Sequence, residues 1–170
     1  MSSKPILIIT GEPFGIFSEI LFKTFQKKKI KKPIVVIASI ELLKKQLKYL
    51  NYKISFNLIK ENFKLSDLKK NKINVINVNL KFKKTFDKIS NSSNMYIKEC
   101  FDLALKLMNK NLFVGLINGP VSKKHFLKFK FNGITEYLAK KTKTKNFAML
   151  IYNKDLSVTP ITTHVPLKNV

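Results

Sequence analysis

Arginine is absent from these 170 residues, cysteine occurs once, and there are only five glycines and six prolines. The lone Cys100 excludes an intrachain disulfide framework and a cysteine-rich zinc module, and fits a reducing compartment. So little glycine and proline excludes collagen-like or low-complexity architecture. No stretch approaches the ~20 uninterrupted apolar residues of a membrane span, and the opening MSSKPILIIT lacks the long apolar core of a signal peptide. The chain therefore reads as soluble, retained in the cytoplasm and without a membrane partner.

What is abundant is lysine. Thirty-three basic residues, all lysine, face ten acidic ones, for a net charge of +23 and a pI near 10.1. That surplus ordinarily suggests a polyanion partner. Without arginine, however, the chain lacks the planar fork suited to bidentate base and phosphate contacts. Lysine, asparagine, isoleucine and phenylalanine together are what an AT-rich coding sequence favours, so no specific nucleic-acid partner is expected. Small phosphorylated substrates would still be attracted. A hydrophobic fraction of 45% with 25% charged residues is globular. A chain of this length can bury ~70% of its unfolded surface in one domain or one lobe of a larger enzyme.

Short apolar runs at residues 6–9 and 34–38, each led by a proline, read as strands buried on both faces. Behind the first, the loop TGEPFG leads to a helix with Ser18 as its N-cap and Ile20, Leu21, Phe22 and Phe25 near one face. Behind the second, Ser39 caps a helix carrying Leu42, Leu43, Leu47 and Leu50. Residues 53–59 and 73–80 are further strand candidates, separated and followed by lysine-rich connections at 60–72 and 81–88. A longer helix is expected over 92–109, where Ile97, Phe101, Ala104 and Met108 share a face beside Cys100 and Leu107. Residues 112–117 form the next strand, followed by the loop NGPVSK and a short helical piece through His125 and Phe126. A helix opening at GITE and two strands, 147–152 and 156–164, complete the chain. No internal repeat, linker or domain boundary is evident. Alternating strands and helices predict an α/β fold: a mainly parallel sheet with helices on both faces. Ligands in such sheets bind at loops on the carboxyl ends of strands.

Four segments could carry chemistry. The loop from Thr10 through Gly15 can hold an anion at a helix start or be an ordinary turn, and it is neither a Walker loop nor a dinucleotide fingerprint. In NGPVSK, Lys123 lies just beyond a strand and could reach a phosphate or carboxylate. In GITE, Thr135 and Glu136 can bind a polar ligand or cap the helix. In TTHVP, His164 can serve as a metal ligand, a general base or a structural histidine. The other histidine, His125, reads as a surface residue.

In this order, ITGEPFGI, INGPVSK, FNGITEYLA and TTHVPL resemble the 4-hydroxythreonine-4-phosphate dehydrogenase (PdxA) family of vitamin B6 biosynthesis. The resemblance spans essentially all 170 residues and corresponds to the N-terminal half of the family's longer chains. It implies an incomplete version of the fold of the isocitrate and isopropylmalate dehydrogenases. It also implies oxidation, with decarboxylation, of 4-phosphohydroxy-L-threonine by NAD (or NADP), at a divalent-metal site (zinc, magnesium or cobalt) within a homodimer.

By the same resemblance, His164 is a metal ligand, Thr135 contacts substrate, and Lys123 contacts substrate or its phosphate. Ile134 departs from a family histidine that contacts substrate, and losing such a contact costs ~1–3 kcal/mol. Two further metal histidines of the family have no counterpart here. The 170-residue chain is therefore expected to be a fragment or truncated product, inactive alone. Two other readings stand beside it: a relative acting on a different hydroxy acid, and a non-catalytic α/β binding module.

Overall fold

Five parallel strands build the main sheet in the order β3-β4-β2-β1-β5: β1 (Ile6–Ile9), β2 (Ile34–Ala38), β3 (Phe56–Ile59), β4 (Ile73–Asn77) and β5 (Leu116–Asn118). This computed structural model describes residues 4–27, 30, 32–161 and 168. The chain divides into two compact units, Met1–Ser122 and Lys123–Val170. The sheet occupies the first, with helices α1 (Phe17–Lys27), α2 (Ile40–Tyr49) and α3 (Asn94–Met108).

β2 lies between β1 and β4 and is buried at all five positions, which is why its sequence is an unbroken IVVIA without alternation. Ile34, Val36 and Ala38 join Ile73 and Val75 of β4, Phe17, Leu21 and Phe22 of α1 and Leu43 of α2 in one apolar cluster. Val35 and Ile37, also fully buried, point to the opposite face by the two-residue period. There α3 packs on β1 and β2, burying Tyr96, Ile97, Cys100, Phe101, Ala104 and Leu107. Helices thus cover both faces of a parallel sheet, as the alternation of elements predicts. Full burial of one Val, Ile or Leu contributes about 1.5–3 kcal/mol, so the two-sided β2 layer is the centre of the unit's stability.

Asn74 breaks the apolar pattern of β4 and is nevertheless fully buried. Its amide donates to the carbonyls of Ile34 (2.9 Å) and Lys69 (3.1 Å), and its oxygen accepts from Asn57 Nδ2 and Lys69 N–H, both at 2.8 Å. With all four bonds made, its burial incurs no unpaired polar group.

Several boundaries differ from the sequence expectation. Helix α1 begins at Phe17, so Ser18 lies inside its first turn and is buried, not a cap, while Ile20 is 48% exposed. The helix faces the sheet through Phe17, Leu21 and Phe22, a frame set by where it starts. Ser39 does cap α2, its hydroxyl accepting from Leu42 N–H at 3.4 Å. β3, β4 and β5 are shorter than expected, although single backbone bonds carry the pairing just past their ends, from Ile73 N–H to Ser55 O (3.0 Å), Val78 N–H to Ala38 O (3.0 Å) and Leu7 N–H to Gly115 O (3.1 Å). On α3, Met108 is only half-buried, and the buried stripe begins at Tyr96 instead.

The second unit holds α4 (Ile134–Thr142) and a two-stranded antiparallel ribbon, β6 (Ile151–Tyr152) and β7 (Ser157–Val158). α4 ends on Lys143 in the left-handed region (φ 56°). None of the described helices is long and apolar enough to cross a membrane.

Candidate functional site

In the sheet order the chain passes from β1 outward through β2 on one side, then returns to place β5 on the other. The reversal lies between β1 and β5, and the loops beyond their carboxyl ends are where parallel α/β sheets bind ligands. The loops at that point are the two singled out in the sequence, Thr10–Gly15 after β1 and the Asn118–Pro120 turn after β5.

They are joined backbone to backbone. Glu12 N–H donates to Pro120 O at 2.8 Å, and Gly119 N–H donates to Ile9 O at 2.7 Å. Gly11 sits at φ +67°, and a Cβ there would collide with the carbonyl oxygens of Pro120 and Gly119. A Cβ on Gly119 would meet the Thr10 carbonyl and the Phe17 ring. Both glycines are therefore required for the close approach of the two strands' ends. The first loop is a rigid shelf, held from the side by the second.

Beneath this shelf is a small polar space of about 10 Å³, lined by Thr10, Glu12, Ser18, Ser39, Gln46 and Tyr96 among apolar neighbours. It has room for about one water and not for a substrate, so its side chains support the shelf from below. Tyr96 Oη accepts from Ser39 N–H at 2.9 Å and lies 3.3 Å from Thr10 Oγ1. One hydroxyl on α3 thereby ties together the ends of β1 and β2. Gln46 of α2 is 1% exposed and donates to Pro13 O (2.9 Å) and Thr85 O (3.3 Å). Glu12 is buried as well, at 2% exposure.

Burial pushes the Tyr96 phenol well above its usual range, and the neighbouring Cys100 adds to that. Burial also pushes the Cys100 thiol up to about 12, against the opposing effect of its hydrogen bond with Tyr96. Both stay protonated near neutrality and act as hydrogen-bonding groups, not as acid or base catalysts. Cys100 is a core residue, as its helical position predicts.

Sequence reasoning missed Tyr96 and Gln46. The available signal was helical spacing: Tyr96 is one turn before Cys100, and Gln46 is one turn after Leu42. Nothing in the sequence named their partners.

The second unit carries Lys123, Ile134 and Thr135. Lys123 is exposed and opens a single π-type turn, Lys123–Leu127, and its carbonyl accepts from Phe129 N–H at 3.4 Å. Lys128 and Phe129 follow in the left-handed region (φ 50° and 55°). Ile134 and Thr135 share the first turn of α4 and are half-buried. That helix is entered through Gly133, which has no side chain to cap it, and the Glu136 carboxylate folds back toward it, Oε2 lying 3.2 Å from where a Cβ on Gly133 would sit. Tyr137 packs edge-on against Phe126 (5.3 Å) and Phe131 (5.5 Å), tying the π-turn segment to α4. His125 is half-buried, not fully at the surface.

His164 lies outside the described residues, as do Thr162 and Thr163. Among the described residues no group of three His, Cys, Asp or Glu side chains could hold a metal ion.

Comparison with known proteins places these features. The sequence model of the family described as "Pyridoxal phosphate biosynthetic protein PdxA" matches residues 29–170. A 4-hydroxythreonine-4-phosphate dehydrogenase of Sulfurihydrogenibium sp. is 32% identical over 97% of this chain and 51% of its own length. A protein of Oceanobacillus iheyensis, provisionally named a D-threonate 4-phosphate dehydrogenase, is 29% identical over 98% of this chain and 52% of its own. The chain thus spans about half the length of the relatives it matches. Among solved structures, a 4-hydroxythreonine-4-phosphate dehydrogenase from Klebsiella pneumoniae superposes with a TM-score of 0.80 at 24% identity, covering 98% of this chain and 53% of that one. One from Burkholderia phymatum gives 0.82 at 18% identity, over 98% and 52%. At those identities the likeness establishes the α/β fold.

Proposed function

The chain belongs to the PdxA family of pyridoxal phosphate biosynthetic proteins, and we propose that it serves the oxidation of 4-phosphohydroxy-L-threonine by NAD (or NADP) on the route to pyridoxal 5'-phosphate. The observation that carries this reading is the likeness to the Sulfurihydrogenibium dehydrogenase along 97% of the chain. In the reaction a secondary alcohol gives up hydride to the nicotinamide, and the resulting β-keto acid loses CO₂. The proposed setting is a cytoplasmic homodimer.

The roles of this chain's residues in that reading follow from their chemistry. The Thr135 hydroxyl hydrogen-bonds the substrate, and the Lys123 ammonium pairs with its phosphate or carboxylate. The shelf Thr10–Gly15, held by Pro120, Tyr96 and Gln46, forms a fixed wall at the carboxyl ends of the strands. A divalent ion such as zinc, magnesium or cobalt would polarise the alcohol and ketone oxygens, with His164 as one ligand. Catalytic sites of this kind use about three protein ligands, so the 170 residues alone should neither hold the ion tightly nor reduce NAD.

Ile134 favours a second reading of the substrate. Isoleucine offers no hydrogen bond to a polar ligand, and a contact of that kind is worth ~1–3 kcal/mol. The likeness to the Oceanobacillus protein makes D-threonate 4-phosphate the competing substrate. The test is to mix the chain with the second half of the Sulfurihydrogenibium relative, supply NAD and a divalent metal, and follow nicotinamide reduction with each acid. Turnover of 4-phosphohydroxy-L-threonine is expected from the mixture and none from the chain alone. Preference for D-threonate 4-phosphate would reassign the substrate. Association of the halves without turnover of either acid, or binding of either, would refute the dehydrogenase reading.

A further inference from the structure

The lysine-rich connection after β4 reaches the shelf. Residues 79–90 run from β4 to the short turn Asn91–Ser93 and form neither helix nor strand. An irregular connection of this length is uncommon in a compact unit unless it binds or covers something. Lys81, Lys83, Lys84, Asp87 and Lys88 are exposed, while Phe82, Thr85 and Phe86 are half-buried. Those three residues meet one stretch of α2. Lys45 Nζ stands 5.1 Å from the centre of the Phe82 ring, and Tyr49 meets Phe86 edge-on at 5.3 Å. Between these two contacts, Gln46 Nε2 donates to Thr85 O at 3.3 Å.

Lys45 and Tyr49 are exposed, and ring contacts made at the surface are weak. Gln46 differs. It is 1% exposed, and the same nitrogen donates to Pro13 O, in the shelf, at 2.9 Å. The two N–H bonds of an amide lie in one plane at a fixed angle, so Gln46 meets both carbonyls only while connection and shelf keep their present spacing. Lifting the connection leaves one of those donors without its acceptor in a buried place, and an amide that turns to recover a partner loses its alignment with Pro13 O. We propose that residues 79–90 are a strap whose seating on α2 fixes the shelf Thr10–Gly15 through Gln46, and whose lifting releases it. Coupling of this kind is reciprocal: a ligand that immobilises the shelf also seats the strap. The strap is thus the movable element of the site proposed above, and it rests on that reading only for the identity of the ligand.

Hydrogen exchange on the full 170-residue chain tests the coupling. The shelf is read at the Glu12 and Gly15 amides, which bond Pro120 O and Glu12 O, and global opening is read at residues 35–37 of β2. Tyr49→Ala removes a strap contact from a side chain that is 72% exposed. It should speed exchange of the shelf amides roughly threefold or more relative to β2, and Phe86→Ala, on the strap itself, should do the same. Gln46→Leu keeps the side chain's bulk without its donors and should speed them roughly tenfold or more. In the Gln46→Leu background Tyr49→Ala should have no further effect, because the link it acts through is gone. Shelf amides indifferent to both Tyr49→Ala and Phe86→Ala would overturn the proposal, as would effects that add in the double variant. Equal acceleration of shelf and β2 amides by Gln46→Leu would make that residue part of the common core and overturn the strap as a separate element. None of these outcomes depends on turnover, so failure of the dehydrogenase reading and failure of the strap are told apart.

Discussion

Replacing Tyr96 by Phe removes one oxygen and keeps the ring, so it isolates the work of a single buried hydroxyl. In the native chain that hydroxyl accepts the Ser39 N–H at 2.9 Å and lies 3.3 Å from Thr10 Oγ1. After substitution the Ser39 N–H, at the entry to α2, has lost its acceptor in a site that water barely enters. An unmet buried donor costs ~1–3 kcal/mol and the lost net bond to Thr10 a further ~0.5–1.5. The expected destabilisation is about 2–4 kcal/mol, a large share of the ~5–15 kcal/mol available to a domain. In a chain of this size each kcal/mol moves the melting temperature by ~2–4 °C. Urea unfolding followed by circular dichroism should show a lower midpoint at unchanged slope. Hydrogen exchange should show lost protection at Ser39 and at the Glu12 and Gly119 amides that join the two loops. A double-mutant cycle with Thr10→Val should give a coupling of at least ~0.5 kcal/mol. A destabilisation within ~0.5 kcal/mol, typical of a surface change, would refute the assignment of Tyr96 as the tie between β1 and β2.

Gly119→Ala places a methyl against the Thr10 carbonyl and the Phe17 ring, and should destabilise by at least the ~1–3 kcal/mol of an overpacked core, read as a fall in the urea midpoint. Lys128→Gly relieves a left-handed residue (φ 50°) whose side chain is exposed, and should raise thermal stability by ~1 kcal/mol. Cys100 should react with a thiol reagent only as fast as the chain opens. Because folding raises its pKa from 9.0 to about 12, the thiol's contribution to stability is complete below pH 9 and is lost as pH rises toward 12. A denaturation series across that window should show the decline, and Cys100→Ala should reduce it.

The parts of the fold that rest on local pattern were legible. β1 and β2 can be read to the residue, since an apolar run between a proline and a turn has few alternatives. Ser39 is recognisable as a cap because the hydroxyl's partner is three residues away. The start of α1 was not legible, because shifting the frame by one residue still leaves apolar side chains on a face. Only packing of Phe17 against the sheet decides that Ser18 lies inside the helix and Ile20 outside the core.

The candidate site divides in the same way. The sequence by itself determined the alternating elements, the glycine-bearing loops after β1 and β5, the cap of α2 and the core position of Cys100, because each depends on neighbours along the chain. Tertiary structure alone decided that the loops after β1 and β5 meet, that Tyr96 and Gln46 support them, and that β5 lies beside β1. Those relations join residues tens of positions apart. A buried hydroxyl or amide carries no mark of its partner until the sheet has brought the two within hydrogen-bonding distance.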